Sequence, residues 1–223
     1  MRGTDPVPTP AAVPAILPLS LLEAIRNLDT PVEDGLDELA SEIVVRRLGL
    51  SPTVAAQIQR YRTAADKDGT VDLDEVVSVI RLVSRRPDAA LVFADAGRRA
   101  ARYAARSRSR SSRTLVRVSP AGMARRVSHR AAARLARKVF GGELRAPAQG
   151  TEVRMADPLS IIAVPDGAAC AFYGSAYGEL LRSLVAFEGA MLHEHCRSRG
   201  GSGGFRHGLS AAGSAKAAER FCG

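Results

Sequence analysis

The chain has 223 residues, 46% hydrophobic but only 4% aromatic with no Trp, and carries 32 Lys and Arg against 23 Asp and Glu for a net charge of +9. That length supports one sizeable core or two small ones, and with so few aromatics the core must be Leu, Val, Ile and Ala. No apolar run approaches the roughly 20 residues of a bilayer span, the stretch 11–22 is broken by prolines and lacks the pattern of a signal peptide, and three cysteines without a secretion signal predict reduced thiols in a cytoplasmic setting.

Residues 1–18 hold Pro6, Pro8, Pro10, Pro14 and Pro18 and are expected to form a disordered or extended arm. Leu21, Leu22, Ile25 and Leu28 fall at helical spacing and predict a helix from about Leu19 to Thr30-Pro31. A second helix follows, with Leu36, Leu39, Ile43, Val44 and Leu48 on one face and Gly49 as its stop. Ser51-Pro52 reads as an N-cap with proline at the first helical position, opening a helix to about Ala65 with Val54, Ile58 and Tyr61 inward. Asp72 caps the next helix, with Val76, Val77, Ile80 and Val83 as its apolar positions, and Arg85-Arg86-Pro87 ends it. Residues 19–87 are thus expected to form a helical domain.

Residues 88–106 predict a long helix with Leu91, Val92, Ala96 and Ala100 on one side. The segment 107–114, SRSRSSRT, is low in complexity and predicts a basic loop that cannot pack. A basic helix is expected from about Pro120 to Phe140, closed by Gly141-Gly142. Further on, 152–155 alternates as a half-buried strand does, and Ser160–Val164 is a second apolar run before the turn Pro165-Asp166-Gly167. Ala171–Phe187 predicts a helix, Ala190–Cys196 a strand, and Gly200–Gly204 a turn into a short last strand at Phe205; 208–223 is expected to be a disordered tail. The fold class read from this pattern is α+β: an N-terminal helical bundle, then a domain over 88–207 with a small antiparallel sheet packed on helices.

Four groups of residues are candidates for chemistry. With Gly69 at the sixth position of an EF-hand loop, Asp66, Asp68, Asp72 and Glu75 fall at positions three, five, nine and twelve, and Val71 at eight. Ala64 stands where the first anionic ligand belongs, and Asp is also the ordinary residue of caps and turns, so calcium is the weaker reading. The second group is the basic block: residues 91–145 carry 15 Lys and Arg against 2 Asp and Glu, net +13. Arg106, Arg108, Arg110, Arg113, Arg125, Arg126 and Arg130 form a candidate contact surface for anionic lipid or nucleic-acid phosphate, against the plain alternative of a solvated face. Nucleic acid is disfavoured, because no aromatics interleave with the arginines beyond Tyr103. The third group, His193, His195, Cys196 and His207, lacks a CxxC pair and does not make a metal site, and a Cys170–Cys196 disulfide is a remote option. Finally, no serine, histidine or carboxylate stands in a nucleophile elbow; Glu194 between two histidines is the one acid–base candidate, and the chain is not expected to be an enzyme.

Residues 91–206 also resemble the 4-vinyl reductase domain family, on three features. The run 91–98, LVFADAGR, is similar to that family's opening helix with its glycine after an apolar run. The run 167–174, GAACAFYG, resembles its central strand entering a helix, and Glu188–Gly204 its closing signature. Two departures stand out. Glu194 lies one residue nearer Cys196 than the pattern has it, with His193 in the acidic position. The final cysteine is missing near Gly203 or Gly204, although Phe205 keeps the following aromatic, which leaves a paired-cysteine function without its second member. The resemblance implies the fold shared with haem-NO-binding domains and small vesicle-trafficking subunits. It further implies a module, often dimeric, that binds a hydrophobic small molecule or a tetrapyrrole, with relatives in bacteriochlorophyll synthesis and in hydrocarbon sensing. The pocket it implies would be lined by Phe93, Leu135, Val139, Ile162, Phe172, Tyr173 and Leu180, residues that serve equally well as core. The leading expectation is a non-catalytic ligand-binding or scaffolding subunit of a larger, photosynthetic or membrane-associated assembly. The alternative is a basic peripheral adaptor. A tetrapyrrole vinyl reductase rests on the family name alone, since no nucleotide-binding loop is visible.

Overall fold

The computed structural model describes residues 12–29, 51–106, 121–145, 151–155, 158–185, 189–195 and 207–211. The fold is α+β, largely helical, with two small antiparallel sheets packed on helices. The helix expected over 34–48, the loop 107–114, Cys196 and the turn 200–205 lie outside the described residues.

Strand β1 (Ala12–Pro14) runs straight into helix α1 (Ile16–Asp29). The extended arm predicted to reach residue 18 therefore ends earlier. Pro18 falls in the first turn of α1, where the backbone N–H it lacks would have had no intrahelical acceptor. Helix α2 (Pro52–Ala65) starts as its sequence predicts: the Ser51 hydroxyl accepts the Val54 N–H at 3.2 Å, and Pro52 follows the cap. The chain then turns through Asp68, in the left-handed region at φ 54°, into β2 (Thr70–Asp72), which pairs antiparallel with β1 in the register Val13 to Val71. Asp72 caps α3 (Leu73–Ser84) by accepting the Asp74 N–H at 2.8 Å. Helix α4 (Ala89–Arg106) then crosses the middle of the molecule, packed against α1 and, most extensively, against α7 (Ala171–Val185).

Gly97 fixes how α4 and α7 meet. A Cβ there would lie 2.1 Å from the Phe172 carbonyl oxygen and 3.0 Å from the Ala176 nitrogen, so only glycine lets the two backbones approach this closely. Ala96, Ala100, Ala101 and Ala104 of α4 are buried as well. Helix α5 (Ala121–Phe140) ends at Gly141, whose φ of 69° suits glycine and whose N–H reaches the Arg137 carbonyl. It buries Ser128, Ala132, Ala136 and Phe140, and the Phe140 ring meets Tyr177 edge-on at 5.6 Å.

The second sheet has the order β3–β4–β6–β5, all antiparallel, from β3 (Glu143–Arg145), β4 (Glu152–Met155), β6 (His207–Ala211) and β5 (Met191–His195). Val153 and Met155 of β4 are buried, as the alternation predicts, and the Tyr177 hydroxyl donates to Met155 Sδ at 3.4 Å. On the far side Met191 lies against Gly178. Strand β6 corrects the expected tail: 207–211 pairs between β4 and β5 and completes the sheet. The apolar run Ser160–Val164 belongs largely to a short helix, α6 (Leu159–Ala163), a state that so short a run has no period to foretell. Cys170 sits in a 3₁₀ turn (Ala168–Cys170) rather than on a central strand, since Gly167 at φ 83° swings the chain directly into α7. One apolar core links Leu17 and Ile25 of α1, Ile58 and Tyr61 of α2, and Val76 of α3 to Phe93, Tyr177 and Leu180 across the 87/88 boundary.

Candidate functional site

An apolar cavity opens where α1, α3, α4, α6 and α7 converge. Leu17, Leu21, Val76, Ile80, Phe93, Leu159, Ser160, Ala169, Phe172 and Tyr173 line it, and its volume is about 20 Å³. Of the seven residues that the resemblance implied as a pocket, Phe93, Phe172 and Tyr173 line this cavity. Leu180 is fully buried elsewhere in the core, and Leu135, Val139 and Ile162 are half-buried against that core rather than on the cavity wall. The wall residues Leu17, Leu21, Val76 and Ile80 escaped sequence reasoning because their periodicity says only that they face inward, not what they face.

The few polar atoms near the cavity are engaged. The Tyr173 hydroxyl accepts the Leu159 N–H at 3.1 Å, which ties α6 to α7, and Ser160 Oγ lies 3.6 Å from Cys170 Sγ. Burial holds the Tyr173 and Tyr177 phenols above their usual range, so both stay neutral at ordinary pH. A cavity of about 20 Å³ admits roughly one water-sized guest.

The buried carboxylates serve as ties between helices. Glu23 of α1 accepts Arg62 of α2 at 2.6 Å and the Tyr103 hydroxyl of α4 at 2.6 Å, and burial followed by this bond raises the Tyr103 phenol. Asp29, at the end of α1, receives Arg86 through two nitrogens at 2.7 and 3.1 Å. Arg86 also grips Asp88, whose carboxyl its hydrogen bond holds below the ordinary value.

Asp66, Asp68, Asp72 and Glu75 are not brought together. Asp66 ends α2, Asp72 is spent on its helix cap, Asp68 pairs with Lys138 at 2.9 Å, and Glu75 accepts Gln57 and the Tyr61 hydroxyl and pairs with Arg60. Among the described residues no group of three or more His, Cys, Asp or Glu is placed to hold a metal ion. The side chains of Glu194, His195 and His207 lie outside the described residues.

The basic block divides by helix. On α4, Arg98 and Arg99 pair with Asp95 at 3.7 and 2.6 Å, and Arg102 pairs with Glu179 of α7 at 2.8 Å. Arg106, at the end of α4, is also engaged. On α5, Arg126, Arg130, Arg134 and Arg137 are all exposed and make no ion pair with another described residue. Arg108, Arg110, Arg113 and the side chain of Arg125 lie outside the described residues. The contact surface named from sequence stops at Arg130, although Arg134 and Arg137 fill the same polar side of the basic helix and their spacing from Arg126 and Arg130 puts all four on one helical face.

Comparison of the chain with known protein families, with curated proteins and with solved structures finds no match.

Proposed function

We propose that the chain is a non-catalytic accessory module of 4-vinyl-reductase-domain character over residues 91–206, one that takes a small apolar group in its cavity and serves a larger assembly. The observation that carries this reading is the meeting of Phe93, Phe172 and Tyr173 at one apolar cavity beside the Gly97 crossing. Two of the stretches behind the resemblance, 91–98 and 167–174, thereby supply the close Gly97–Phe172 backbone approach and part of the cavity wall. Glu23, Asp29, Tyr103 and Tyr173, the buried or half-buried polar groups nearest this core, are committed to holding helices together. Size limits the guest: at about 20 Å³ the cavity suits a group of very few atoms and not a tetrapyrrole, which speaks against the vinyl reductase reading.

The test is native mass spectrometry of the protein purified from its own cells, beside Ala169→Leu, which fills the cavity. A bound mass in the wild type that is absent from the variant is expected. A wild type without any bound mass ends the ligand reading and leaves scaffolding alone.

A second reading, a peripheral cytoplasmic adaptor for an anionic surface, is favoured by the exposed arginines of α5, which pair with no described carboxylate. No helix among the described residues is long and apolar enough to cross a membrane, so any membrane contact made by these helices would be peripheral. Its test is binding to polyanions across a range of salt: a steep loss with salt is expected, and no binding at low salt ends it.

A further inference from the structure

Helix α5 is amphipathic in an unusual sense. At about 100° per residue, Met123, Arg126, Arg130, Arg134 and Arg137 fall within about 80° of arc. The four arginines are exposed, and Met123 is 59% exposed beside them. The opposite face carries the buried Ser128, Ala132, Ala136 and Phe140, so the outward face is fixed by the core. Like charges at i and i+4 repel, and here no described carboxylate offsets the 126–130 and 130–134 pairs. The same chain supplies carboxylate partners to the arginines of α4, so the lack on α5 is local and not a shortage of acid.

We propose that this face of α5 lies on an anionic lipid surface, with the four guanidinium groups on headgroup phosphates and Met123 dipping into the interface. The inference rests on the adaptor reading and narrows it to one partner. Charge complementarity calls for a polyanion. The exposed thioether in line with the arginines fits an apolar interface, which a bilayer offers and a phosphate backbone does not. Among the described residues no large exposed aromatic accompanies the arginines to stack on bases. Arginine suits the task because its long apolar stem lies along the interface while its head stays on phosphate.

The experiment is co-sedimentation of the full chain with vesicles of equimolar phosphatidylglycerol and phosphatidylcholine, with pure phosphatidylcholine vesicles and with duplex DNA and single-stranded RNA as competitors. Binding to the acidic vesicles alone, weakening with salt, is expected. Replacing Arg126, Arg130, Arg134 and Arg137 by Gln should weaken it about a hundredfold or more, replacing them by Lys should retain most of it, and Met123→Ser should weaken it several-fold. The Gln variant should melt no lower than the wild type, which excludes unfolding as the cause. Unchanged vesicle binding in the Gln variant overturns the proposal. Tighter binding to nucleic acid through the same arginines overturns the lipid assignment while the adaptor reading stands, and binding to neither polyanion removes both.

Discussion

Helices α4 and α5 come from the same arginine-rich block of sequence, yet the fold uses them in opposite ways. On α4 a small-residue face presses against α7, and Arg98, Arg99 and Arg102 on the other face meet Asp95 and Glu179. On α5 the inner face is also buried, through Ser128, Ala132, Ala136 and Phe140, but Arg126, Arg130, Arg134 and Arg137 meet no described carboxylate. Arginine content alone therefore says little. What distinguishes a structural arginine from one available to a partner is whether the tertiary fold brings a carboxylate to it.

The comparison breaks most severely at the α4–α7 seam. Gly97→Val should cost at least about 3 kcal/mol, because the obstacle is the Phe172 carbonyl, which cannot rotate away as a side chain can. Chemical denaturation would measure this, and a loss under about 1 kcal/mol would mean that the crossing is looser than described. Asp29→Ala should cost about 2–3 kcal/mol, since Arg86 keeps only Asp88 once its bidentate partner is gone.

A pH series gives a third check. Burial raises the folded-state pKa of Tyr173 and Tyr177 above the unfolded value of about 10, so the unfolded chain releases protons first as the pH climbs. Stability should be flat below that pH and fall above it, and Tyr177→Phe should blunt the fall. The Asp88 carboxyl works the other way: its contribution is present above about pH 4 and is lost as the pH drops through its lowered folded value.

The smallest effects are those of the arginines. Arg99→Gln and Arg102→Gln should each cost at most about 1 kcal/mol, as partly exposed pairs do. The α5 replacements should be neutral or slightly stabilising, since each relieves like-charge repulsion.

Local signals in the sequence carried far. Ser51-Pro52, the Asp72 cap, the Gly141 stop and the helical spacing on α4 and α7 all mark features that the structure contains. Failures arose where pairing or a neighbour decides. Strand β6 has no pattern of its own and exists because β4 and β5 flank it, while Pro18, counted in an extended arm by its proline-rich surroundings, lies in the first turn of α1. For the cavity, Phe93, Phe172 and Tyr173 are named only through a resemblance, and Leu17, Leu21, Val76 and Ile80 on its other walls come from helices far away in sequence. The arginine spacing on α5 was visible, whereas the lack of a described carboxylate opposite it is a tertiary fact.

The most direct test of the central contrast sets two charge-removed proteins side by side on acidic vesicles: Arg98, Arg99 and Arg102 to Gln on α4, and Arg126, Arg130, Arg134 and Arg137 to Gln on α5. The α4 set should bind nearly as the wild type does while losing stability, and the α5 set should lose binding while keeping stability. Equal losses of binding in the two would contradict the account, since they would show that net charge, and not the α5 face, governs the contact.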